Sequence, residues 1–291
     1  MKIYLDGQLV PKEEAKLSVF DHGVLYGDGV FEGIRAYNGR VFRLNEHLDR
    51  FWASAKAVAI EPPMSKKDME KAILETLLAN NLKDAYIRAL LTRGVGDLGL
   101  DPRKCAAGPS VVIIADSIVL YPPEFYEKGM EVITASTRRV RPDTLSPNIK
   151  SMNYLNNILA KMEAIRAGLV EAIMLNAEGY VAECTGDNLF IVKNSTVYTP
   201  PSFAGALEGI TRNAVMELAK NKLNLTVKES LFTMYNVYNA DECFVTGTAA
   251  EVAAVICADS RKIGSGKPGP ITLKLMEEFR NLANSTGTPI K

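Results

Sequence analysis

The chain has 291 residues, of which 47% are hydrophobic and 23% charged, a composition typical of a globular protein long enough for two separate cores. Lysine plus arginine number 34, as do aspartate plus glutamate, so no strong field favours nucleic acid or an anionic membrane as a partner. The four cysteines form no CxxC pair and only two histidines accompany them, which argues against a zinc site, any other His-rich metal centre and a Ser-His-Asp hydrolase.

The start of the chain shows no targeting segment. Met1-Lys2-Ile3 leads straight into charged residues, so we expect no secretory signal. The longest uncharged apolar run, residues 252–258, is far too short to span a bilayer. We therefore expect a cytoplasmic protein with reduced cysteines.

The first part of the chain alternates turn signals with amphipathic segments. Asp6-Gly7 and Asn38-Gly39 each separate two apolar runs, which predicts two hairpins. Asn45 is predicted to cap a helix, and Ser65 with Asp68 resembles the capping box of a second one. The predicted inward positions are Leu48, Phe51, Trp52, Ala55 and Ala59 on the first helix and Met69, Ile73 and Leu77 on the second.

Two strands complete this part. In residues 85–92, alternation places Tyr86, Arg88 and Leu90 on one side of a strand. A glycine-rich loop spans residues 94–102, and residues 111–115 read as a buried strand. We therefore predict a small α+β domain over residues 1–120.

A break follows at Tyr121-Pro122-Pro123, where two prolines predict an interdomain linker over residues 121–130. Residues 131–291 are predicted to form a large domain of short strands and helices. The predicted strands are 132–135, 171–175, 180–183, 189–192, 196–198, 226–229, 242–245 and 252–256, with helices starting near Thr211 and Ile271.

One stretch of this large domain, Asn148-Ile-Lys-Ser-Met-Asn-Tyr-Leu-Asn-Asn157, places Lys150 just outside a predicted helix. Asn153 is the predicted N-cap, and the apolar positions of the helix are Tyr154, Ile158, Met162 and Ile165. A poorly hydrated lysine at a helix start favours its neutral amine, the form that attacks a carbonyl. Ordinary solvated lysines are far commoner, so Lys150 needs supporting residues elsewhere.

Pyridoxal phosphate enzymes need such a lysine, a partner for the ring nitrogen and a phosphate cradle. Glu183 ends a short strand before a glycine turn and could face the nitrogen, or it could be a surface residue after a hairpin. Gly209-Ile210-Thr211 and Thr246-Gly247-Thr248-Ala249 could each cradle a phosphate, or could be only a helix cap and a turn. Residues 264–267 lack P-loop spacing and read as a plain loop.

Several segments, in this order, resemble the branched-chain amino acid aminotransferases of the fold-type IV pyridoxal phosphate class. They are Tyr26-Gly-Asp-Gly-Val-Phe-Glu-Gly-Ile-Arg35, Glu46-His-Leu-Asp-Arg50, Ile149-Lys-Ser-Met-Asn-Tyr-Leu-Asn-Asn157, Tyr180-Val-Ala-Glu183, Gly209-Ile-Thr-Arg212 and Thr246-Gly-Thr-Ala-Ala-Glu251. The resemblance covers nearly the whole chain. It implies a two-domain α+β fold like that of D-amino acid aminotransferase, with the cofactor at the domain interface and its lysine in the large domain.

The resemblance also assigns roles around pyridoxal 5′-phosphate. Lys150 would bind the cofactor aldehyde and move the proton of the substrate α-carbon. Glu183 would face the ring nitrogen, and Tyr154, predicted one helical turn from Lys150, would donate to the phenolic oxygen of the ring. The phosphate would be held by Arg50, Ile210, Thr211 and Thr248, Ile210 acting through its backbone amide.

For substrates, the resemblance implies leucine, isoleucine or valine exchanged with 2-oxoglutarate in a ping-pong cycle. The residues implied to bind substrate are Phe31, Tyr26, Tyr86, Arg88, Thr248 and Ala249. Among them, Arg88 would meet the glutamate side chain, unless it forms an ion pair with an acid in its own domain. Residues 96–101 resemble a loop lent across a dimer interface, which implies a homodimer or higher homo-oligomer.

The sequence departs from many relatives beside the reacting groups, at Cys184, Asp187 and Ser151-Met152. Two other functions stay open at this stage. One is a D-amino acid transaminase or an aminodeoxychorismate-type lyase on the same scaffold. The other is a non-catalytic cofactor-binding or regulatory protein, against which Lys150, Glu183 and Arg88 together argue.

Overall fold

The computed structural model describes residues 1–118 and 121–291, and the chain divides into two compact units. The first unit contains Met1–Ile118, Ile149–Asn153 and Ala283–Lys291, and the second contains, of the described residues, 121–148 and Tyr154–Leu282. Two segments that we predicted for the large domain, Ile149–Asn153 with Lys150 and Ala283–Lys291, thus belong to the first unit. Both pair with strands of that unit, and strand pairing connects residues far apart in sequence.

The first unit begins with an antiparallel hairpin and continues through two long helices. In chain order its elements are β1 (Lys2–Leu5), β2 (Gln8–Pro11), α1 (His22–Tyr26), β3 (Gly29–Tyr37), β4 (Arg40–Val41), α2 (Leu44–Ala57), α3 (Lys66–Ala79), β5 (Ala85–Thr92) and β6 (Ser110–Asp116), with a 3₁₀ turn at Pro102–Lys104.

The second unit contains most of the remaining elements. They are α4 (Pro123–Lys128), β7 (Met130–Thr134), α5 (Leu155–Arg166), β8 (Glu171–Leu175), β9 (Val181–Cys184), β10 (Asn188–Lys193), β11 (Thr196–Thr199), α6 (Ile210–Asn221), β12 (Thr226–Glu229), α7 (Met234–Tyr238), β13 (Glu242–Gly247), β14 (Glu251–Ala258), β15 (Arg261–Lys262) and α8 (Pro270–Ser285), with a 3₁₀ turn at Ser202–Ala204. The last strand, β16 (Thr288–Pro289), returns to the first unit and pairs with β4.

Within the described residues, the first unit has one antiparallel sheet in the order β16-β4-β3-β5-β6-β1-β2. Both predicted hairpins are confirmed, and Asn38 and Gly39 have the positive φ angles, 47° and 75°, that a type I′ turn needs. The predicted inward residues of α3 are fully buried against the sheet. Sheet and helices together enclose one apolar core.

Two details of α2 differ from the prediction. The helix begins at Leu44 and follows Arg43, so Asn45 lies inside the first turn and is not the cap. Ala59 lies beyond the C-terminal end with φ 52°, although Leu48, Phe51 and Ala55 are buried as predicted. Arg43 sits in the left-handed region, where the chain turns sharply out of β4, and the helix starts two residues earlier than capping by Asn45 would place it.

The second unit is built on a mixed sheet in the order β12-β11-β10-β13-β14-β7-β8-β9, with β15 beside β14, counting the described residues only. The predicted strands are all present, with ends shifted by up to two residues. We predicted that Pro122 and Pro123 interrupt regular secondary structure, but they do not. Instead α4 starts at Pro123. A proline is tolerated there because the N–H groups of the first helical turn make no hydrogen bond within the helix.

The apolar positions from which we predicted α5 do not form its buried face. The buried positions are Asn157, Ala160 and Ala164, which pack on β8, whereas Ile158 and Ile165 are 51% and 61% exposed. Alanines allow the helix to lie close to the sheet, so the larger side chains of this helix are left on the opposite side.

Candidate active site

Lys150 lies in a short extended segment of the first unit that runs beside β3. The Phe31 N–H donates to the Lys150 carbonyl and the Met152 N–H donates to the Gly29 carbonyl, both at 2.9 Å. The Lys150 N–H donates to Ser54 Oγ at 3.1 Å. With its backbone held on both sides, the half-buried lysine places Nζ 4.6 Å from the centre of the Phe31 ring.

This segment is not the start of a helix. Since α5 begins at Leu155 and Tyr154 is its capping residue, the predicted helical spacing between Lys150 and Tyr154 is wrong. Asn153 does not cap the helix either, because its side-chain amide donates to the Gly27 carbonyl at 2.8 Å. That bond, with the pairing to β3, keeps residues 149–153 extended. Tyr154 is half-buried immediately before α5.

Arg88 and Tyr86 lie on one face of β5, as the alternation predicted. Arg88 Nη2 donates to the Tyr86 hydroxyl at 3.0 Å, and the guanidinium carbon is 4.4 Å from the centre of the Phe31 ring. Gly33, opposite Arg88 on β3, leaves room for Tyr86, since a Cβ there would lie 2.1 Å from the hydroxyl oxygen. Among the described residues Arg88 forms no ion pair, so its alternative role as a partner of an acid in its own domain is wrong.

Arg50 projects from α2 toward a buried carboxylate on β3. Its Nε donates to Glu32 Oε1 at 2.7 Å and its Nη2 donates to Glu32 Oε2 at 2.9 Å. Burial alone would raise the pKa of Glu32, but Arg50 and His47 hold it far below its usual range. Glu32 is therefore an ionised carboxylate without solvent contact, and it fixes the plane of the Arg50 guanidinium.

Tyr26 ends a short helix that the sequence analysis missed. Asp21 caps α1 by accepting from the Gly23 N–H at 2.7 Å, and Gly27 ends the helix with φ 69°. The exposed Tyr26 hydroxyl donates to the Leu98 carbonyl at 2.5 Å and so contacts the loop of residues 96–101. The two capping residues, Asp21 before the helix and Gly27 after it, are visible in the sequence. A helix of five residues, however, shows too little periodicity to be predicted.

In the second unit, Glu183 is buried and held by an arginine. Arg139 places Nε and Nη2 each 2.8 Å from Glu183 Oε1, and the Leu207 N–H donates to Oε2 at 2.9 Å. The alternative of a surface glutamate after a hairpin is therefore wrong. Sequence reasoning missed Arg139, because it lies in an irregular segment among other arginines and its partner is 44 residues away.

Both predicted phosphate cradles lie close to Asn188 in this unit. Asn188 pairs with Thr246 across β10 and β13, and its side-chain amide donates to the Leu207 carbonyl at 2.8 Å. Gly209 precedes α6, and a Cβ there would lie 2.0 Å from Asn188 Oδ1, so only glycine allows this approach. The fold thus brings together Glu183, the start of α6 and the end of β13.

The start of α6 and the turn after β13 expose polar groups suited to an anion. No side chain caps the helix at Gly209, so the amides that follow, among them Ile210 and the buried Thr211, are available at the positive end of the helix dipole. Thr248 and Ala249 are half-buried in the turn. Among the described residues, the buried Thr246 hydroxyl makes no hydrogen bond, although buried polar groups are usually paired.

Asp187 and Cys184, two of the departures from the relatives, are buried next to Glu171 and Tyr121. The Tyr121 hydroxyl lies 2.7 Å from Asp187 Oδ2 and 3.2 Å from Glu171 Oε2. Burial and the nearby Glu171 raise the pKa of Asp187 to about 7, and burial raises the pKa of the Cys184 thiol. The environment therefore favours the protonated form of Asp187 to a higher pH than is usual for an aspartate.

The part of the chain that the structure describes contains neither a metal-binding cluster nor a membrane-spanning helix. No cluster of three or more His, Cys, Asp or Glu side chains is placed to hold a metal ion there. No helix in the described ranges combines the length and apolarity needed to cross a bilayer.

The chain is similar to known proteins over almost its full length. The family model described as amino-transferase class IV matches residues 29–256. A relative from Methanocaldococcus jannaschii, provisionally named a branched-chain-amino-acid aminotransferase, is 51% identical over 290 residues, covering 100% of this chain and 99% of the relative.

Solved structures agree with this similarity. The structure of the Escherichia coli branched-chain amino acid aminotransferase superposes with a TM-score of 0.96 at 35% identity, covering 100% of this chain and 99% of that one. The structure of the branched-chain amino acid aminotransferase from Thermobaculum terrenum, in its holo-form with pyridoxal phosphate, superposes with a TM-score of 0.90 at 30% identity, covering 100% and 98%.

Proposed function

We infer the function from one premise: this chain belongs to the amino-transferase class IV family. It is a fold-type IV, pyridoxal 5′-phosphate-dependent branched-chain-amino-acid transaminase, in keeping with its relatives. It moves the amino group of L-leucine, L-isoleucine or L-valine to 2-oxoglutarate, and back, by a ping-pong mechanism. Its substrates are therefore small amino acids and 2-oxo acids.

The residues of the second unit suit this cofactor. A pyridine nitrogen needs a carboxylate, and Glu183 is buried and oriented by Arg139. A phosphate needs amide and hydroxyl donors, which Ile210, Thr211 and Thr248 would provide. The buried Thr246 hydroxyl is one more donor in the same unit. Tyr154 would donate its hydroxyl to the phenolic oxygen of the ring.

The first unit would supply the reacting amine. Bound pyridoxal phosphate supplies the electron sink that weakens the α-C–H bond of an attached amino acid. Lys150 would hold the cofactor through Nζ and, once substrate has displaced it, take the α-proton and return it at the other end of the conjugated system. Arg50 would bind the phosphate with the edge of its guanidinium that Glu32 does not occupy.

Substrate recognition would need an apolar wall and a cation in the same place. Phe31, Tyr86 and Tyr26 would contact the aliphatic side chain, and Arg88 would bind the distal carboxylate of glutamate or 2-oxoglutarate. Backbone amides of the turn at Thr248 and Ala249 would bind the α-carboxylate.

One observation carries the assignment. Lys150 Nζ and the Arg88 guanidinium both lie over the ring of Phe31, at 4.6 Å and 4.4 Å from its centre. The amine suited to the chemistry and the cation suited to an acidic substrate therefore both lie beside one aromatic side chain. That arrangement is what an enzyme needs if it accepts both an aliphatic and an acidic amino acid.

Steady-state assays test the proposal against its alternatives on the same scaffold. L-leucine and D-alanine are each supplied with 2-oxoglutarate, and formation of the two products is compared. We expect L-leucine to be the better substrate by kcat/KM. Faster turnover of D-alanine would contradict the proposal, and so would an absence of turnover with both.

We also propose that the enzyme is a homodimer, or a higher homo-oligomer, in the cytoplasm. The exposed side of α5 is apolar, as are Leu98 and Leu100 in the loop of residues 96–101, and surfaces of this kind mark protein interfaces. The exposed apolar residues of α5 are Leu155, Ile158, Leu159, Met162 and Ile165. The four cysteines are buried free thiols, which suits a reducing compartment.

A further inference from the structure

Two side chains in the motifs of the first unit are not among the residues assigned above to bind the cofactor or the substrate. Glu32 stands between Phe31 and Gly33, and His47 precedes Arg50 by one helical turn. Both are buried, at 0% and 1% exposure. Because a buried charge costs free energy unless it is paired, an ionised glutamate in the core of a small lobe calls for an explanation.

Glu32 binds one edge of a planar group. The Nε and Nη2 atoms of Arg50 form the fork that donates to its two carboxylate oxygens, at 2.7 and 2.9 Å. The other edge of the guanidinium, with Nη1 and the outer N–H of Nη2, therefore faces away from Glu32. A bidentate pair fixes both the position and the plane of the arginine.

His47 holds the same carboxylate from a third direction, with Nδ1 2.8 Å from Glu32 Oε2. An ionised carboxylate only accepts hydrogen bonds, so His47 donates through Nδ1–H. Burial lowers the pKa of His47 despite the neighbouring Glu32, and Arg50 and Lys150 lower it further. At neutral pH this favours the neutral imidazole, and the cluster then contains one anion, one fixed cation and one neutral donor.

We propose that Glu32 and His47 are positioning residues for the cofactor, which hold Arg50 so that its outer edge takes the phosphate monoester. This inference rests on the proposed function, in which Arg50 binds that phosphate. An arginine side chain has many rotamers, and fixing one of them on binding costs conformational entropy. If the fold has already fixed the rotamer, binding no longer carries that entropy cost.

Glu32 has two opposing effects on anion binding. The negative charge of Glu32 repels a phosphate. Its two hydrogen bonds to Arg50, however, hold the arginine that attracts a phosphate. Because Glu32 takes one edge of the guanidinium, a phosphate bound at the other edge would be closer to Arg50 than to Glu32, so attraction would dominate while Arg50 keeps its orientation. Removing the Glu32 carboxylate removes both its bonds to Arg50 and its repulsion of the phosphate. We expect the first effect to be larger, so that phosphate binding becomes weaker.

A double-mutant cycle tests the proposal. Holoenzymes of wild type, Glu32→Gln, Arg50→Met and the double variant are dialysed to equilibrium, and the dissociation constant of pyridoxal phosphate is measured for each. Glutamine keeps the size of Glu32 but replaces one acceptor by a donor that opposes the fork. We expect Glu32→Gln to weaken binding about 10- to 100-fold, the range found for carboxylates that orient ligands at metal sites.

Because Glu32 acts through Arg50, the double variant should bind no more weakly than Arg50→Met alone. Additive losses, or unchanged or tighter binding by Glu32→Gln, would overturn the proposal. Wild type that fails to bind pyridoxal phosphate would instead contradict the proposed function. If Arg50→Met weakens binding and Glu32→Gln does not, only the positioning role fails.

His47 gives a second test that holds even if Glu32→Gln does not fold. His47→Asn keeps a donor near the position of Nδ1, and His47→Leu removes it. The asparagine variant should retain the cofactor better than the leucine variant, by about 5- to 10-fold, the factor for one hydrogen bond. Equal affinities in these two variants would contradict the role of His47.

Asp28→Asn is the matched control. Arg93 donates to Asp28 through Nε at 2.8 Å and Nη2 at 3.0 Å, so this change breaks another bidentate pair of the same unit. We expect it to lower thermal stability and to leave the cofactor dissociation constant within about 2-fold of wild type. A loss of cofactor affinity equal to that of Glu32→Gln would show that any broken ion pair in this unit has the same effect, and would overturn the proposal.

Discussion

The site residues of the two units differ in how they are held. In the first unit, Lys150 and Arg88 are half-buried and lie against an aromatic ring on one strand face. In the second unit, Glu183 and Arg139 are almost fully buried in a hydrogen-bonded network. Changes on the strand face should therefore alter function at little cost in stability, whereas changes in the network should lower stability first.

The largest effect is expected for Arg139→Met. It leaves the buried Glu183 without its cation, and breaking a buried ion pair in this way costs about 3–5 kcal/mol. Urea denaturation should show that loss in the free energy of unfolding. Arg139→Lys, which keeps the charge but not the fork, should recover part of it. A loss below about 1 kcal/mol in the methionine variant would show that the network is not what stabilises this region.

Arg88→Met tests the strand face of the first unit, where function should change more than stability. The loss of a charged hydrogen bond to the distal carboxylate should lower kcat/KM for 2-oxoglutarate by about 10- to 100-fold. The loss with leucine should be smaller, because leucine has no such carboxylate. Stability should change by less than about 1 kcal/mol, since Arg88 is half-buried. Equal losses with both substrates would contradict the role of Arg88.

A smaller effect is expected from the pH dependence of stability in the second unit. The pKa of Asp187 is raised to about 7, so the folded state keeps a proton that the unfolded chain releases near pH 4. Between about pH 5 and 7 this makes stability fall as pH rises, by up to about 1.4 kcal/mol per pH unit. Asp187→Asn, which resembles the protonated form, should remove this contribution.

The comparison must be made as a difference between wild type and Asp187→Asn. The pKa of His47 is lowered in the fold, so its contribution to stability has the opposite sign in an overlapping pH range. His47 is the same in both proteins and cancels in the difference. Parallel stability curves from pH 5 to 7 would show that Asp187 does not titrate as described.

The sequence predicted the strand face better than the buried network, for a physical reason. Alternation along β5 fixes the side on which Tyr86 and Arg88 lie, and that information is local. The contact of Arg139 with Glu183 joins an irregular segment to a distant strand, and no local pattern encodes it. The start of α5 was misjudged because Asn153 has an alternative hydrogen-bond partner, Gly27, 126 residues away.

The same limit applied to Glu32 and His47. Both stood in motifs that the sequence analysis quoted, but neither could be given a role until the fold placed them on Arg50 and on each other. The placement of the Lys150 segment could not be predicted locally either. Its pairing with β3 assigns it to the first unit, although its neighbours in sequence belong to the second.

The central claim is that Lys150 carries the cofactor, and one measurement tests it most directly. Cofactor-saturated enzyme is reduced with borohydride and digested, and the modified peptide is identified by mass spectrometry. We predict that a single lysine, Lys150, carries the pyridoxyl phosphate group. Modification of a different lysine, or no modification of cofactor-saturated protein, would contradict the claim.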